Sequence, residues 1–132
     1  MAGDQKHAPS RGWREKFADA FRGLKTGIRG QVSFFVHFFF ALAVIGAGLI
    51  LGVNHVDWCI LFLCITVVLA AEMFNTALEF LAQAVSDQID PRIGSALDVG
   101  SAAVLIAAFG ASIVGLIVFL HRVLVQWGIL MN

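Results

Sequence analysis

The sequence predicts an all-α membrane protein in which an amphipathic surface helix precedes three transmembrane helices. Of its 132 residues, 59% are hydrophobic and only 14% are charged, and the mean hydropathy is +0.86. Soluble domains average about half apolar and about a quarter charged residues, so this composition excludes an ordinary soluble protein. Three apolar stretches have at least the length of about 20 residues that a bilayer-spanning helix needs: 33–53, 56–84 and 96–124.

The segment before the first span divides into two parts. Residues 1–10 are rich in small and polar types and are expected to form a disordered tail, while 11–132 form a single membrane domain. Between 11 and 30, apolar residues recur every three or four positions and basic residues fall mostly on other faces. This pattern favours a helix lying in the membrane interface, although an ordinary basic flank without a further role has the same composition.

The distribution of charge predicts the orientation. Seven of the nine Lys and Arg residues precede the first span, which places the N-terminus in the cytoplasm and the C-terminal tail outside. The connection 86–95 is then cytoplasmic. Within it, Pro91 disfavours helix at Asp90, and Gly94-Ser95 is the expected entry or cap of the third span.

A polar stripe interrupts the second span. At about 100° per residue its members share roughly a third of the helix circumference: Glu72, Asn75, Thr76, Glu79 and Gln83. Ionisable groups at membrane depth cost about 2.5 kcal/mol or more each and mark functional sites. The short cytoplasmic connection also brings the start of the third span, with Asp98, near Glu79, either within one chain or across a subunit boundary.

Three uses of these acidic residues remain open from the residues alone. One carboxylate deprotonates an alcohol while another holds a magnesium ion that bridges nucleotide phosphates. Alternatively, the carboxylates relay protons or bind a transported cation. In the third use they only form structural hydrogen bonds between helices. His37, surrounded by phenylalanines in the first span, either joins such a site or packs against lipid and neighbouring helices.

Small residues in the third span indicate close helix packing. They repeat at every fourth position: Ala103, Ala107, Ala111 and Gly115. Three helices alone hide a polar stripe poorly, so an oligomer is expected, although packing within one chain uses such a seam equally well.

Two motifs resemble a known family. The sequence EMFNTALE at 72–79, followed by ALDVGSAAVL at 96–105, closely resembles the prokaryotic diacylglycerol kinase and undecaprenol kinase family, as does GLK at 23–25. With the three-span layout, the resemblance covers nearly everything after Trp13. It implies a domain-sharing homotrimer of the bacterial inner membrane. It also implies transfer of the γ-phosphoryl group of ATP, with Mg²⁺, to diacylglycerol or undecaprenol at the cytoplasmic face.

The resemblance also implies roles for four residues. Glu72 matches the catalytic base for the lipid hydroxyl, and Asn75 matches an amide that positions the reacting groups. Glu79 matches the ligand of the metal that accompanies ATP, and Asp98 matches an acidic residue of the same catalytic and nucleotide-binding site. Such a set suits phosphoryl transfer, which depends mainly on positioning and charge neutralisation.

The chain departs from the family pattern at three positions. Leu97 replaces a lysine that contacts ATP phosphate, and Phe35 replaces a frequent arginine. Gln31 replaces a second metal-binding glutamate, and its amide oxygen is a weaker metal ligand.

These departures leave two readings of the family membership. In an active enzyme, Lys25, Arg29 or Arg92 supplies the missing positive charge for the nucleotide. In the alternative, the chain is a catalytically altered or inactive relative that binds lipid or serves as a membrane scaffold. A proton or cation carrier is a third, more distant interpretation.

Overall fold

The computed structural model describes residues 12–29, 31–85 and 90–129, which form four α-helices. In chain order these are α1 (Trp13–Ile28), α2 (Val32–Leu51), α3 (His55–Val85) and α4 (Pro91–Gln126). By length and composition, α2, α3 and α4 can each cross a membrane. The predicted fold class, an all-helical membrane protein with an N-terminal arm and three spans, is confirmed. The tail 1–10 lies outside the described residues.

Helix α1 contacts the rest of the protomer near its C-terminal end. Gly27 is buried there against Met73 of α3, and a Cβ at position 27 would lie only 2.5 Å from Met73 Cε. The apolar side chains of the first three turns, Trp13, Phe17 and Phe21, remain exposed in the protomer. The arm is therefore attached at one end, and its apolar stripe is free to lie in the membrane interface.

The turn between α2 and α3 is fixed by side chains from α4. Helix α2 ends at Gly52, which adopts the left-handed conformation with φ 60°. The carbonyl oxygen of Leu51 accepts hydrogen bonds from Arg122 Nε at 3.0 Å and from Gln126 Nε2 at 2.8 Å. The last carbonyls of a helix have no intrahelical donor, so these two side chains cap α2 and hold its C-terminal end against α4.

Helix α4 begins earlier than the sequence suggested. The Asp90 side chain accepts a hydrogen bond from the Arg92 backbone N–H at 2.9 Å, and Pro91 occupies the first helical turn. The expected cap at Gly94-Ser95 is therefore wrong, because an aspartate followed by proline is the stronger start signal. The Arg92 guanidinium also donates to both carboxylate oxygens. The side-chain hydrogen bond from Arg92 is the main cause that lowers the pKa of Asp90, and the hydrogen bond from the Arg92 backbone N–H lowers it further.

The protomer has a small apolar core and large apolar outer faces. The core lies at the end of the bundle that contains the α2–α3 turn, where Val53, Leu61 and Val118 are buried together. Beside it, Trp58 packs on Gly48, where a Cβ would approach the indole to 2.7 Å. Many large apolar side chains of the three long helices are exposed, whereas the buried polar residues in the described part of the chain all belong to α3. This distribution suits a protein whose surroundings are lipid or other copies of the chain.

Candidate active site

The buried polar residues lie together on one face of α3. Glu72, Asn75 and Thr76 are buried, and Glu79 is half-buried one turn beyond them. Positions three and four apart on a helix are neighbours on its surface, which is why this part of the predicted stripe forms one cluster. Gln83, at the C-terminal end of the predicted stripe, is exposed.

Two amide side chains hold the Glu79 carboxylate. Asn75 Nδ2 donates to Glu79 Oε1 at 3.0 Å, and Gln31 Nε2 donates to Oε2 at 3.4 Å. Gln31 is the residue that precedes α2, so this contact links the start of α2 to α3. The predicted metal-binding pair, Glu79 and Gln31, is therefore in direct contact.

The donor set around Glu79 fits a magnesium ion that is also bound by nucleotide phosphates. Asn75 Oδ1 is buried without a hydrogen-bond partner and lies against Gly100 of α4, so the oxygens open to a metal are those of Glu79 and Gln31. Mg²⁺ usually takes one or two carboxylates from the protein and completes its shell with phosphate and water. Among the residues that the structure describes, no three His, Cys, Asp or Glu side chains form a metal cluster. An all-protein metal cage is therefore not built from the described part of the chain.

Helix α4 fixes the position of Asn75 through a glycine. At Gly100, a Cβ would lie 2.6 Å from Asn75 Oδ1 and 2.9 Å from Leu78 Cδ1. Gly100 thus permits a close approach of the two helices at the level of the site. It also explains in physical terms why the second motif of the resemblance carries a glycine two residues after Asp98.

His37 lies beside Glu72. The distance from His37 Nε2 to Glu72 Oε2 is 3.7 Å, and the side chains are 19% and 3% exposed. The Gln31–Glu79 contact explains this neighbour relation, because α2 and α3 run antiparallel. Six residues along α2 and seven residues back along α3 each cover about 10 Å, which brings His37 level with Glu72.

The sequence alone left His37 undecided between the site and lipid packing, and the structure places it at the site. The sequence does contain one indication of a role at the site, because His37 is the only ionisable residue in α2. Its depth could be matched to that of Glu72 only after the register of the two helices was known.

An apolar cleft begins at His37. It has a volume of about 480 Å³ and lies between α2, α3 and α4. His37 and Leu69 line the inner end, which is the end near Glu72, and Phe119 lines the opposite end, near the α2–α3 turn. The cleft therefore joins an apolar space in the membrane to the ionisable groups of the site.

Asp98 does not join the cluster within one protomer. It is exposed, and it precedes Gly100 by two residues, which is about 200° around α4. Because Gly100 faces Asn75, Asp98 is turned away from that face. Among the described residues, no hydrogen bond or ion pair connects Asp98 with Glu72 or Glu79. The predicted contact within one chain is therefore absent from the described residues, and the contact across a subunit boundary stays a prediction.

The candidate replacements for the missing lysine lie outside the cluster. Lys25 and Arg29 are exposed, and neither forms an ion pair with Glu79 within the part of the chain that the structure describes. Arg92 forms an ion pair with Asp90, in which Arg92 Nη2 lies 2.7 Å from Asp90 Oδ2. Leu97 is half-buried.

Two comparisons with known proteins match this arrangement of motifs to a family. The family described as prokaryotic diacylglycerol kinase matches residues 18–119, a segment that contains all the site residues discussed above. The undecaprenol kinase of Bacillus subtilis (strain 168) is 31% identical over 108 residues, which cover 82% of this chain and 88% of that protein. No solved structure matches the chain.

Proposed function

Since the chain belongs to the prokaryotic diacylglycerol kinase family, we propose that it uses ATP and Mg²⁺ to phosphorylate a lipid alcohol at the cytoplasmic face of the membrane. The observation that carries the proposal is the row Glu72, Asn75 and Glu79, in which a buried carboxylate lies about two turns from a carboxylate held by amides. The Bacillus subtilis relative is named an undecaprenol kinase. Undecaprenol is therefore the first substrate to test, and diacylglycerol is the second.

Glu72 acts as the general base in this proposal. Its carboxylate accepts the proton of the lipid hydroxyl while the hydroxyl oxygen forms a bond to the γ-phosphorus of ATP. The bond between that phosphorus and the bridging oxygen breaks, and its electron pair leaves with ADP. A positioned base of this kind contributes typically about 10²- to 10⁴-fold to the rate.

Glu79 serves the nucleotide side. Its carboxylate, with the amide oxygen of Gln31, would hold Mg²⁺, which supplies charge neutralisation for the phosphates. Glu79 lies about 10 Å from Glu72 along α3, closer to the cytoplasmic end. The nucleotide can thus stay near the water while the lipid hydroxyl meets the deeper carboxylate.

A shared site between subunits completes the proposal. Asp98 lies on an exposed face of α4, and we propose that in a homotrimer it faces the Glu79 cluster of a neighbouring copy. Lys25 and Arg29, on the cytoplasmic arm, then supply the positive charge that Leu97 cannot.

The test is phosphorylation of lipid by purified protein in lipid nanodiscs, with labelled ATP, Mg²⁺ and each alcohol in turn. We expect labelled lipid from the wild type, a loss of about 100-fold or more in Glu72→Gln, and a comparable loss in Glu79→Gln. Glu15→Gln, the same change on the exposed first turn of α1, is the matched control and retains activity.

The departures at Leu97 and Gln31 favour one second candidate, an inactive relative that binds lipid. A folded oligomer that binds undecaprenol but phosphorylates neither alcohol would support this candidate and contradict the kinase.

A further inference from the structure

We propose that His37 is a positioning residue for Glu72, whose Nε2–H holds the carboxylate in the direction from which the lipid hydroxyl arrives. The inference rests on the proposed kinase function and adds to it a residue from α2. Its basis is the 3.7 Å distance between His37 Nε2 and Glu72 Oε2, in a place where both side chains are largely withdrawn from solvent.

The Glu72 carboxylate has few other hydrogen-bond donors or ion-pair partners nearby. Among the described residues, His37 is its one ion-pair partner. Asn75, one turn along α3, directs its N–H group to Glu79 instead. A carboxylate buried without a donor is strongly unfavourable, so the donor that is present determines where the carboxylate points.

The other elements packed around His37 do not compete for this role. From α3, the charged groups that face the region are Glu72 itself and Glu79, which is two turns away toward the cytoplasmic end. From α4, the wall of the cleft offers Ser112 as its polar side chain, and that hydroxyl already donates to the Ala108 carbonyl at 2.7 Å. The contact with Glu72 is therefore the one polar interaction that the described surroundings give to His37 Nε2.

The position of His37 determines the direction in which the Glu72 carboxylate points. His37 lines the inner end of the apolar cleft and also contacts Glu72. A carboxylate drawn toward His37 therefore points to the junction of the cleft and the polar cluster. The contact must shorten by roughly 0.5 Å or more to become a hydrogen bond, and catalytic hydrogen bonds often tighten in this way when substrate binds.

Three substitutions separate hydrogen bonding from packing. His37→Leu keeps the approximate volume without a donor, His37→Gln places an amide nitrogen near the position of Nε2, and His37→Asn is one carbon shorter. We expect kcat for lipid phosphorylation to fall about tenfold or more in the Leu and Asn variants, with KM for ATP unchanged. The Gln variant should regain most of the lost kcat. His121→Leu, at an exposed position near the outer end of α4, is the matched control and should behave like the wild type.

A second measurement tests whether His37 acts through Glu72. Adding His37→Leu to Glu72→Gln should cause no further loss of kcat, because the group to be positioned is already absent. A merely structural role would lower the rate again, and it would lower the kcat of the Gln and Leu variants equally.

The outcomes distinguish this inference from the proposed function. A wild-type protein that phosphorylates no lipid alcohol overturns both. A wild type that is active together with an equally active His37→Leu variant, or Gln and Asn variants of equal kcat, overturns only the role of His37. If the Leu variant does not assemble, the comparison of Gln with Asn decides the question on its own.

Discussion

Replacing Gly100 with alanine tests the contact that fixes Asn75. The new Cβ would lie 2.6 Å from Asn75 Oδ1 and 2.9 Å from Leu78 Cδ1, closer than the 3.0 Å below which real Cβ contacts essentially never occur. Leu78 is partly exposed and can rotate toward the membrane. Asn75 is buried, so it must leave its hydrogen bond to Glu79 or push α4 away.

The expected loss of stability is about 1.5–5 kcal/mol. Overpacking a close contact costs about 1–3 kcal/mol, and a lost hydrogen bond to a carboxylate costs about 1.5–3 kcal/mol. Against these, alanine is favoured over glycine inside a helix by about 1 kcal/mol. The displaced amide no longer holds Glu79, so we also expect lipid phosphorylation to fall about 10- to 100-fold.

The matched control is Gly110→Ala in the same helix, where nothing lies within 4 Å of the new Cβ. This variant should keep its activity and gain up to about 1 kcal/mol. Stability is measured by denaturant unfolding in mixed micelles, and activity by the initial rate of label transfer to undecaprenol. A Gly100→Ala protein with the stability and rate of the Gly110→Ala protein would refute the inference that Gly100 determines the position of Asn75.

Three further predictions concern the metal ligands and the two ends of α4. Gln31→Glu adds a carboxylate beside Glu79, so the Mg²⁺ concentration for half-maximal activity should fall about tenfold; an unchanged requirement would remove Gln31 from the metal site. Asp90 has a pKa below its ordinary value of about 3.9. Its stabilising contribution is therefore complete above that pH and disappears as the pH falls through the lower folded value, and Asp90→Ala should abolish this part of the pH dependence of unfolding. Arg122→Met removes one of two donors to the Leu51 carbonyl and should cost about 1 kcal/mol of stability with no effect on phosphorylation rate; a slower enzyme would show that the outer turn is coupled to the site.

The elements of the fold follow from the sequence because each depends on local composition. Uninterrupted apolar runs identify α2, α3 and α4, and the three- to four-residue spacing of Trp13, Phe17 and Phe21 identifies the arm. The polar face of α3 is equally local, since Glu72, Asn75 and Glu79 share it on any α-helix. The predicted start of α4 is too late in the chain, because Asp90 and Pro91 are a stronger helix start than the flexible Gly94-Ser95 pair.

The contacts between helices could not be predicted in the same way. The proximity of His37 and Glu72 depends on the vertical register of α2 against α3, which is set by Gln31 meeting Glu79. The direction of Asp98 depends on the rotation of α4 about its axis, which is set by Gly100 against Asn75. Both are properties of packed pairs, and one sequence carries no direct record of register or rotation.

Helices of unequal length share this site. The 20 residues of α2 measure about 30 Å, which equals the thickness of a typical hydrocarbon layer, whereas the 31 residues of α3 measure about 46 Å. Hydrophobic matching therefore sets the height of α2 in the bilayer, and through the Gln31–Glu79 contact it also sets the height of Glu79 and Glu72. In hosts with longer acyl chains, both carboxylates would sink relative to the headgroups. The thickness of the surrounding membrane, together with the amino-acid sequence, thus determines how deep the two carboxylates lie in the bilayer.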